Sequence, residues 1–348
     1  MTKISLLFKR FSLFITVSIV AILILTNGGW AAETTVPKSV AIGTTSIGSA
    51  TYVISVGMAD LISKHAGINA VAEVGGGADA IARLLRDGKV QLAMLSSFAA
   101  EHAYKGDEQF AKEGKIPVRA LIWGSPSLRQ PIVRTASGIK TIADFAGKRI
   151  LAGRTVAADT IIVYNVLLKV YGVDPASVKA LPYSKPKEIM DALKSGTADG
   201  VIWPVGIGNP NVFELQETVK LGFPSISKDK WEATLKGLGS AFYIETVPAN
   251  TYKNQPEDVY VPSLRMGFST LQSFPEEAAY RIIKTLLGPH YEELKLVHTT
   301  AKEYNVQGTV NQFCIPFHPG AIRYYKEIGV WKEEHEKKQR AILALEKK

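Results

Sequence analysis

The chain has 348 residues, 46% of them hydrophobic and 21% charged, the balance of a folded globular protein with material for one large domain or two medium ones. Its formal charge of +9 falls to +6 once Lys3, Lys9 and Arg10 are lost with an N-terminal leader, and the remaining cations are spread along the chain rather than clustered. No basic and aromatic residues interleave to make a platform for stacking bases, so nucleic acid is excluded as a partner.

The leader is read from Lys3, Lys9 and Arg10 ahead of an apolar run over 11–25, followed by the small residues Gly29 and Ala31. Residues 1–31 are therefore expected to be a signal peptide cleaved before Ala32, with Ala32 as the alternative last residue. The apolar run is shorter than the roughly 20 residues a spanning helix needs. Cys314 is the only cysteine, so no intramolecular disulfide can form and no thiol stands at the cleavage point for lipid attachment. The expected product is a freely soluble periplasmic protein.

Beyond the leader, strand and helix patterns alternate. A β-branched run at 39–42 is followed by a glycine and hydroxyl turn and by helical apolar spacing over 52–65. Strands at 70–74 and 92–95 alternate with helices at 78–86 and 98–104, which is α/β architecture. Residues 118–135 hold two apolar stretches split by Pro126 and Pro131, and a fresh α/β series begins at Gly138. That series predicts a strand at 149–152, helices at 160–171 and 188–195, and a strand at 198–203. Residues 259–268 predict a strand that returns to the first half. Two crossings imply two lobes, one built from 32–130 with 246–348 and the other from 131–245. Helical spacing over 275–305 begins with Pro275, Glu276 and Glu277, which suit a first turn. The charged tail from Lys332 is predicted to be a helix packed on the outside.

Three segments carry a family resemblance. Residues 315–325, reading IPFHPGAIRYY, resemble the near-terminal signature of the TAXI group of solute receptors for TRAP transporters. The stretch 247–259, with Pro248, Ala249, Asn250, Thr251, Tyr252, Gln255, Glu257 and Asp258, is similar to a second segment of that group. GIKTIADFAGKR at 138–149 is similar too, but it recurs across many type II periplasmic receptors. The resemblance implies a type II periplasmic binding protein, with two α/β lobes joined by crossing strands at a hinge, which closes on a solute and docks on a sodium-driven permease.

Ligands of open α/β sheets gather where strands end and helices begin, because helix amides there are unpaired. The first candidate contacts are Thr44, Thr45, Ser46, Gly48, Ser49 and Tyr52, a turn rich in glycine and hydroxyls that also reads as an ordinary helix cap. The second are Gly76 and Gly77, able to form a backbone nest or simply a tight turn. Ser96 and Ser97, followed by Phe98, stand where the resembled group usually has glutamine, serine and aspartate. Losing the amide and the acid argues against an amino-acid ligand. In the second lobe, Arg154 and Thr155 replace a glycine-rich turn of that group. The Arg154 guanidinium offers a two-pronged grip on a carboxylate, against the plainer reading of a solvated loop arginine. Asp159 reads as a helix N-cap. Trp203, Gly206 and Asn209 stand near a glycine and an asparagine-proline of the resembled group, and Trp203 reads equally as a pocket wall or as core.

His318, flanked by Pro316 and Pro319, reads as a hydrogen-bonded structural residue. His65, His102, His290, His298 and His335 are far apart in sequence and show no metal-ligand spacing, so neither metal nor any other cofactor is expected. No nucleophile elbow, phosphate loop or cysteine nucleophile with a partner is apparent, so no enzyme is expected. The expectation is a monomeric periplasmic receptor that binds a small carboxylate-bearing solute and delivers it to a TRAP permease. The alternative is a ligand sensor that presents its bound form to a membrane signalling protein.

Overall fold

The computed structural model describes residues 36–154 and 158–347, so the signal-peptide expectation and Thr155 lie outside the described residues. The first lobe opens with β1 (Ser39–Thr44), α1 (Ala50–His65), β2 (Asn69–Val74), α2 (Ala78–Arg86), β3 (Leu92–Ser96) and α3 (Ser97–Lys105). Strand β4 (Val118–Arg134) then leads into β5 (Arg149–Arg154), α4 (Ala158–Val170), β6 (Lys179–Tyr183), α5 (Pro186–Ser195), β7 (Gly200–Val205) and α6 (Pro210–Gln216). After β8 (Leu221–Gly222), α7 (Trp231–Leu238) and β9 (Tyr243–Val247), strand β10 (Val259–Leu271) runs back. The chain closes with α8 (Glu276–Leu287), α9 (Tyr291–Val297), α10 (Val306–Asn311), α11 (Pro319–Glu327) and α12 (Glu333–Leu343).

The strand order β2-β1-β3-β10-β4-β7-β5-β6 places the two long strands in the middle, with β8 beside β4 and β9 beside β10. The crossing segment read as two apolar stretches is thus one 17-residue strand. Pro126 does not break it because it lies opposite Arg265, at a register shift between Arg265 and Gly267 where regular pairing already lapses. Val118–Leu128 pairs with β10, and the register then hands β4 over to β7 from Leu128 to Val133. The elements read from the sequence are present, with ends shifted by a few residues. The short β6, with its middle half-exposed, had no clear alternation to betray it.

Alternation along β4 sorts its side chains: Ile132 and Val133 enter separate apolar clusters on opposite faces of the second-lobe sheet. A third cluster fills the first lobe around Ile42, Leu95, Trp123, Phe268, Ile282 and Phe317. The segment 315–325 docks on β4. Ala120 N donates to Pro316 O at 2.8 Å, His318 N to Ala120 O at 2.9 Å, and the Tyr325 hydroxyl to Leu121 O at 2.5 Å. The motif that carries the family resemblance is therefore a packing device.

Two large rings lie on glycines of the crossing strands. A Cβ on Gly124 would stand 2.2 Å from the Tyr304 ring, and one on Gly267 would stand 2.3 Å from Trp123. Both rings are fully buried. Gly267→Ala is expected to lower stability by about 1–3 kcal/mol through overpacking, read as a lower urea midpoint at unchanged m-value.

Candidate ligand site

The edge of β10 changes partners at the junction between the lobes. Strand β3 ends opposite Met266 and β9 begins opposite Ser263, which leaves Leu264 and Arg265 between them. Ser97 fills the gap: its Oγ accepts from Arg265 N at 3.2 Å and donates to Ala241 O at 2.7 Å. The ring of Phe98 meets Phe242 edge-on at 5.9 Å. The Glu101 carboxylate accepts from the Ser240 hydroxyl and is neutralised by Lys105 at 2.6 Å. The segment preceding β9 is thereby fastened to the first turns of α3.

A cavity of about 130 Å³ opens beside this junction, walled by Ser97, Trp123 and Arg265, by Ser240 to Tyr243, and by Gln312, Phe313, Cys314 and Lys338. The engineered apolar cavity that accommodates benzene has about 150 Å³, so the space suits a solute of roughly six heavy atoms. No carboxylate lines it. Arg265 donates from Nε to Gln312 Oε1 at 3.1 Å and from Nη1 to Gly124 O at 3.2 Å, and its guanidinium lies 4.9 Å from the centre of the Tyr243 ring. The Lys338 ammonium lies 4.4 Å from the centre of the Phe313 ring, and burial pulls its pKa below the ordinary lysine value. Among the described residues neither cation has an ion-pair partner. The Trp123 indole N–H, wholly buried, also has no acceptor among them. Two cations lining a cavity that holds no carboxylate form a site for an anion. Cys314 donates weakly to Ser97 O at 3.5 Å, and burial pushes its thiol pKa up, so the thiol is inert.

Of the residues read as ligand contacts, Ser97 is the one that lines this cavity, and its hydroxyl is committed to closing the sheet. Ser96 caps α3 through Ala99 N. Thr44 is fully buried, accepting from Ser55 Oγ at 2.7 Å, so it belongs to the interior rather than to an open pocket. Thr45 and Ser49 share a hydrogen bond of 2.8 Å, and Ser49 caps α1 by accepting from Tyr52 N. Ser46 and Gly48 are exposed and Tyr52 is half-buried. Gly48 and Gly76 need their glycines, with φ of +84° and +89°, and Gly77 is the uncapped N-cap of α2. Trp203 is 2% exposed and stands opposite Gln130 in the sheet. The wall reading is corrected: the ring is core, because strand β7 is covered on both faces. Asn209 caps α6 through Asn211 N, and the Tyr252 hydroxyl accepts from the N–H groups of Gly208 and Asn209 at 3.1 and 3.2 Å. Gly206 is half-buried with open space where a Cβ would stand. Arg154 ends β5, opposite Tyr183.

Asp159 is also corrected, because α4 begins at Ala158 and Asp159 is inside its first turn. Its carboxylate grips Arg129 of β4, and the Arg129 guanidinium also donates to Ser127 O, Ser127 Oγ and Leu128 O at 3.0, 2.9 and 3.2 Å. Arg129, Arg265 and Lys338 were all missed in the sequence. The crossing strands offered the only signal, since a charged residue within an apolar strand must find a partner.

The sequence model of the NMT1-like family matches residues 42–329, more than half of the chain. The chain belongs to the NMT1-like family. Among solved structures, this NMT1-like protein is similar to PhnD1 from Prochlorococcus marinus MIT 9301, solved with methylphosphonate. The TM-score is 0.52 at 9% identity, over 85% of this chain and 100% of that one. It is also similar to the periplasmic aliphatic sulphonate binding protein SsuA from Escherichia coli, at TM-score 0.44 and 13% identity over 84% and 83% of the two chains. A TctC solute binding protein from Polaromonas gives 0.48 and 14% over 77% and 86%. The fold of the NMT1-like protein is that of a type II periplasmic binding protein, two α/β lobes joined by crossing strands.

Proposed function

We propose that this protein is a periplasmic receptor that takes a small organic anion between its lobes, alters nothing in it, and hands it to a membrane permease. The observation that carries the reading is the cavity at the lobe junction, lined by Arg265 and Lys338 and by no carboxylate. A carboxylate, sulfonate or phosphonate of about six heavy atoms complements the two cations. PhnD1, which shares the fold, was solved with one such anion, methylphosphonate. The TAXI-like motifs at 247–259 and 315–325 favour a TRAP-type permease as the acceptor of the solute.

In this reading the lobes are 32–130 with 246–348 and 131–245, and they rock about β4 and β10. Arg154, Thr155, Gly206 and Asn209 of the second lobe and Ser46, Ser49, Gly76 and Gly77 of the first are proposed as further contacts made when the lobes close. Residues 1–31 direct export, the mature chain acts as a monomer, and no cofactor takes part. Among the described residues no helix is long and apolar enough to cross a membrane.

A thermal-shift screen of carboxylates, sulfonates and phosphonates tests the proposal, because a ligand that binds the folded state at 100 times its Kd stabilises by about 2.7 kcal/mol. Calorimetry on the best hit is expected to show Arg265→Met and Lys338→Met each weakening binding about 10- to 100-fold, the worth of a charge-assisted hydrogen bond. Arg154→Ala measures the second-lobe grip in the same assay. Unchanged affinity in both Arg265→Met and Lys338→Met, with the variants still folded, or a best hit among uncharged solutes, removes the anion assignment.

A further inference from the structure

Three residues distant in the sequence meet on the outer surface of the first lobe. His65 ends α1, His290 is the N-cap of α9, and Glu293 lies one turn further along α9. The two imidazole rings stack at 3.6 Å with planes 12° apart. His290 Nδ1 lies 2.6 Å from Glu293 Oε1, and His65 Nε2 lies 3.8 Å from Glu293 Oε2. One ligand atom from each residue falls within 4.8 Å of the other two. We propose that His65, His290 and Glu293 form a binding site for a borderline divalent transition-metal ion, of the class of Zn²⁺, Cu²⁺ or Ni²⁺.

The donor chemistry sets the class. Two imidazole nitrogens and one carboxylate oxygen suit zinc, copper and nickel, whereas magnesium and calcium take oxygen donors. Two ligands each about 2.1 Å from a shared ion stand at most about 4.2 Å apart, so the ligand atoms need approach by less than about 1 Å, while the two rings turn out of their stack to bring both in-plane nitrogen lone pairs onto the ion. The ion takes the place of the proton that His290 and Glu293 now share, and water completes the coordination.

The backbone holds the three in reach. Helices α1 and α9 approach so closely that a Cβ on Gly57 would stand 2.4 Å from the Val297 side chain. Gly57 precedes His65 by two turns, and Val297 follows His290 by two turns. The contacts therefore run antiparallel, and locking one end of the pair fixes the other. The neighbouring cation Lys64 is bound to Asp60 at 2.7 Å, which blunts its repulsion of a metal. The histidines are partly exposed, with 30% and 25% of their side-chain surface accessible, so an ion reaches them from solvent without unfolding. This site shares no residue with the proposed solute cavity.

The test uses the full mature chain purified without a polyhistidine tag and stripped with chelator. Calorimetric titration with Zn²⁺ is expected to give one ion per chain, with His65→Ala, His290→Ala and Glu293→Gln each binding at least tenfold more weakly. Electron paramagnetic resonance of the Cu²⁺-loaded chain is expected to show two coordinated nitrogens, falling to one in either single histidine variant. Melting curves of the chelated variants show whether each folds, and Glu293→Gln keeps its shape where a histidine loss does not. Binding at unchanged affinity in the His65→Ala/His290→Ala double variant overturns the proposal, as does failure of the parent chain to take up Zn²⁺ or Cu²⁺.

Discussion

Replacing Asp159 by alanine is expected to lower stability by about 3–5 kcal/mol, the usual consequence of removing one partner of a buried ion pair. Arg129 and Asp159 are 5% and 6% exposed. Without the carboxylate, the guanidinium keeps, among the described residues, its bonds to Ser127 and Leu128 within its own strand. Loss of an acid from the first turn of α4 accounts for about 0.3–1 kcal/mol of this through the helix dipole, so most of the loss belongs to the pair. The double variant Arg129→Met/Asp159→Leu removes both charges and is expected to recover most of the stability. Urea denaturation of the parent, the single and the double variant checks this. An Asp159→Ala chain within about 1 kcal/mol of the parent would show that Arg129 finds water, contrary to its burial.

Stability is expected to fall by about 3 kcal/mol between pH 6.5 and pH 4 on account of His318 alone. Burial is the main cause of its low pKa, which drops from 6.5 to about 4; the nearby Arg119 adds to the shift and the Phe274 carbonyl opposes it. Nε2 lies 2.9 Å from Phe274 O, and Nδ1 accepts from Gly320 N at 3.2 Å, capping α11. Neutral histidine is the form that fits this arrangement. Below pH 6.5 the unfolded chain takes up a proton that the folded chain refuses, so stability is lost as pH falls and levels off once the folded state is protonated below about pH 4. Carboxylates titrate in the same range, so the reading is the difference between the parent and His318→Asn, whose Oδ1 still accepts from Gly320 N. The variant is expected to show a flatter profile from pH 7 to pH 4, and parallel profiles would remove His318 as the cause.

Much of the fold was legible because its signals are local. Short apolar or β-branched runs ending in small or polar residues revealed β1 to β3, and 3.6-residue spacing revealed α1, α2 and α4. The return of the chain at β10 followed from one further apolar run. The site was less legible. The hydroxyls around 44–52 were read as ligand contacts from a composition that serves equally well to cap a helix, and the structure uses Ser49, Ser96 and Asn209 in that way. The tail from Lys332 was read as outer packing. Helix α12 is largely exposed, as an outer helix should be, and it also sends Lys338 to the cavity and clamps Phe317 through Gln339, whose Oε1 accepts from Phe317 N and whose Nε2 donates to Phe317 O at 2.8 and 3.0 Å.

The amino-acid order by itself determined the alternation of elements and the two crossings, since each depends on neighbours a few residues apart. Only the tertiary structure decided which charges and donors meet. Arg265 and Lys338 line one cavity, Arg129 joins Asp159, and His65 joins His290 and Glu293. Such meetings depend on strand register and helix docking. A one-residue slip in register turns every side chain to the other face, and no local spacing records it.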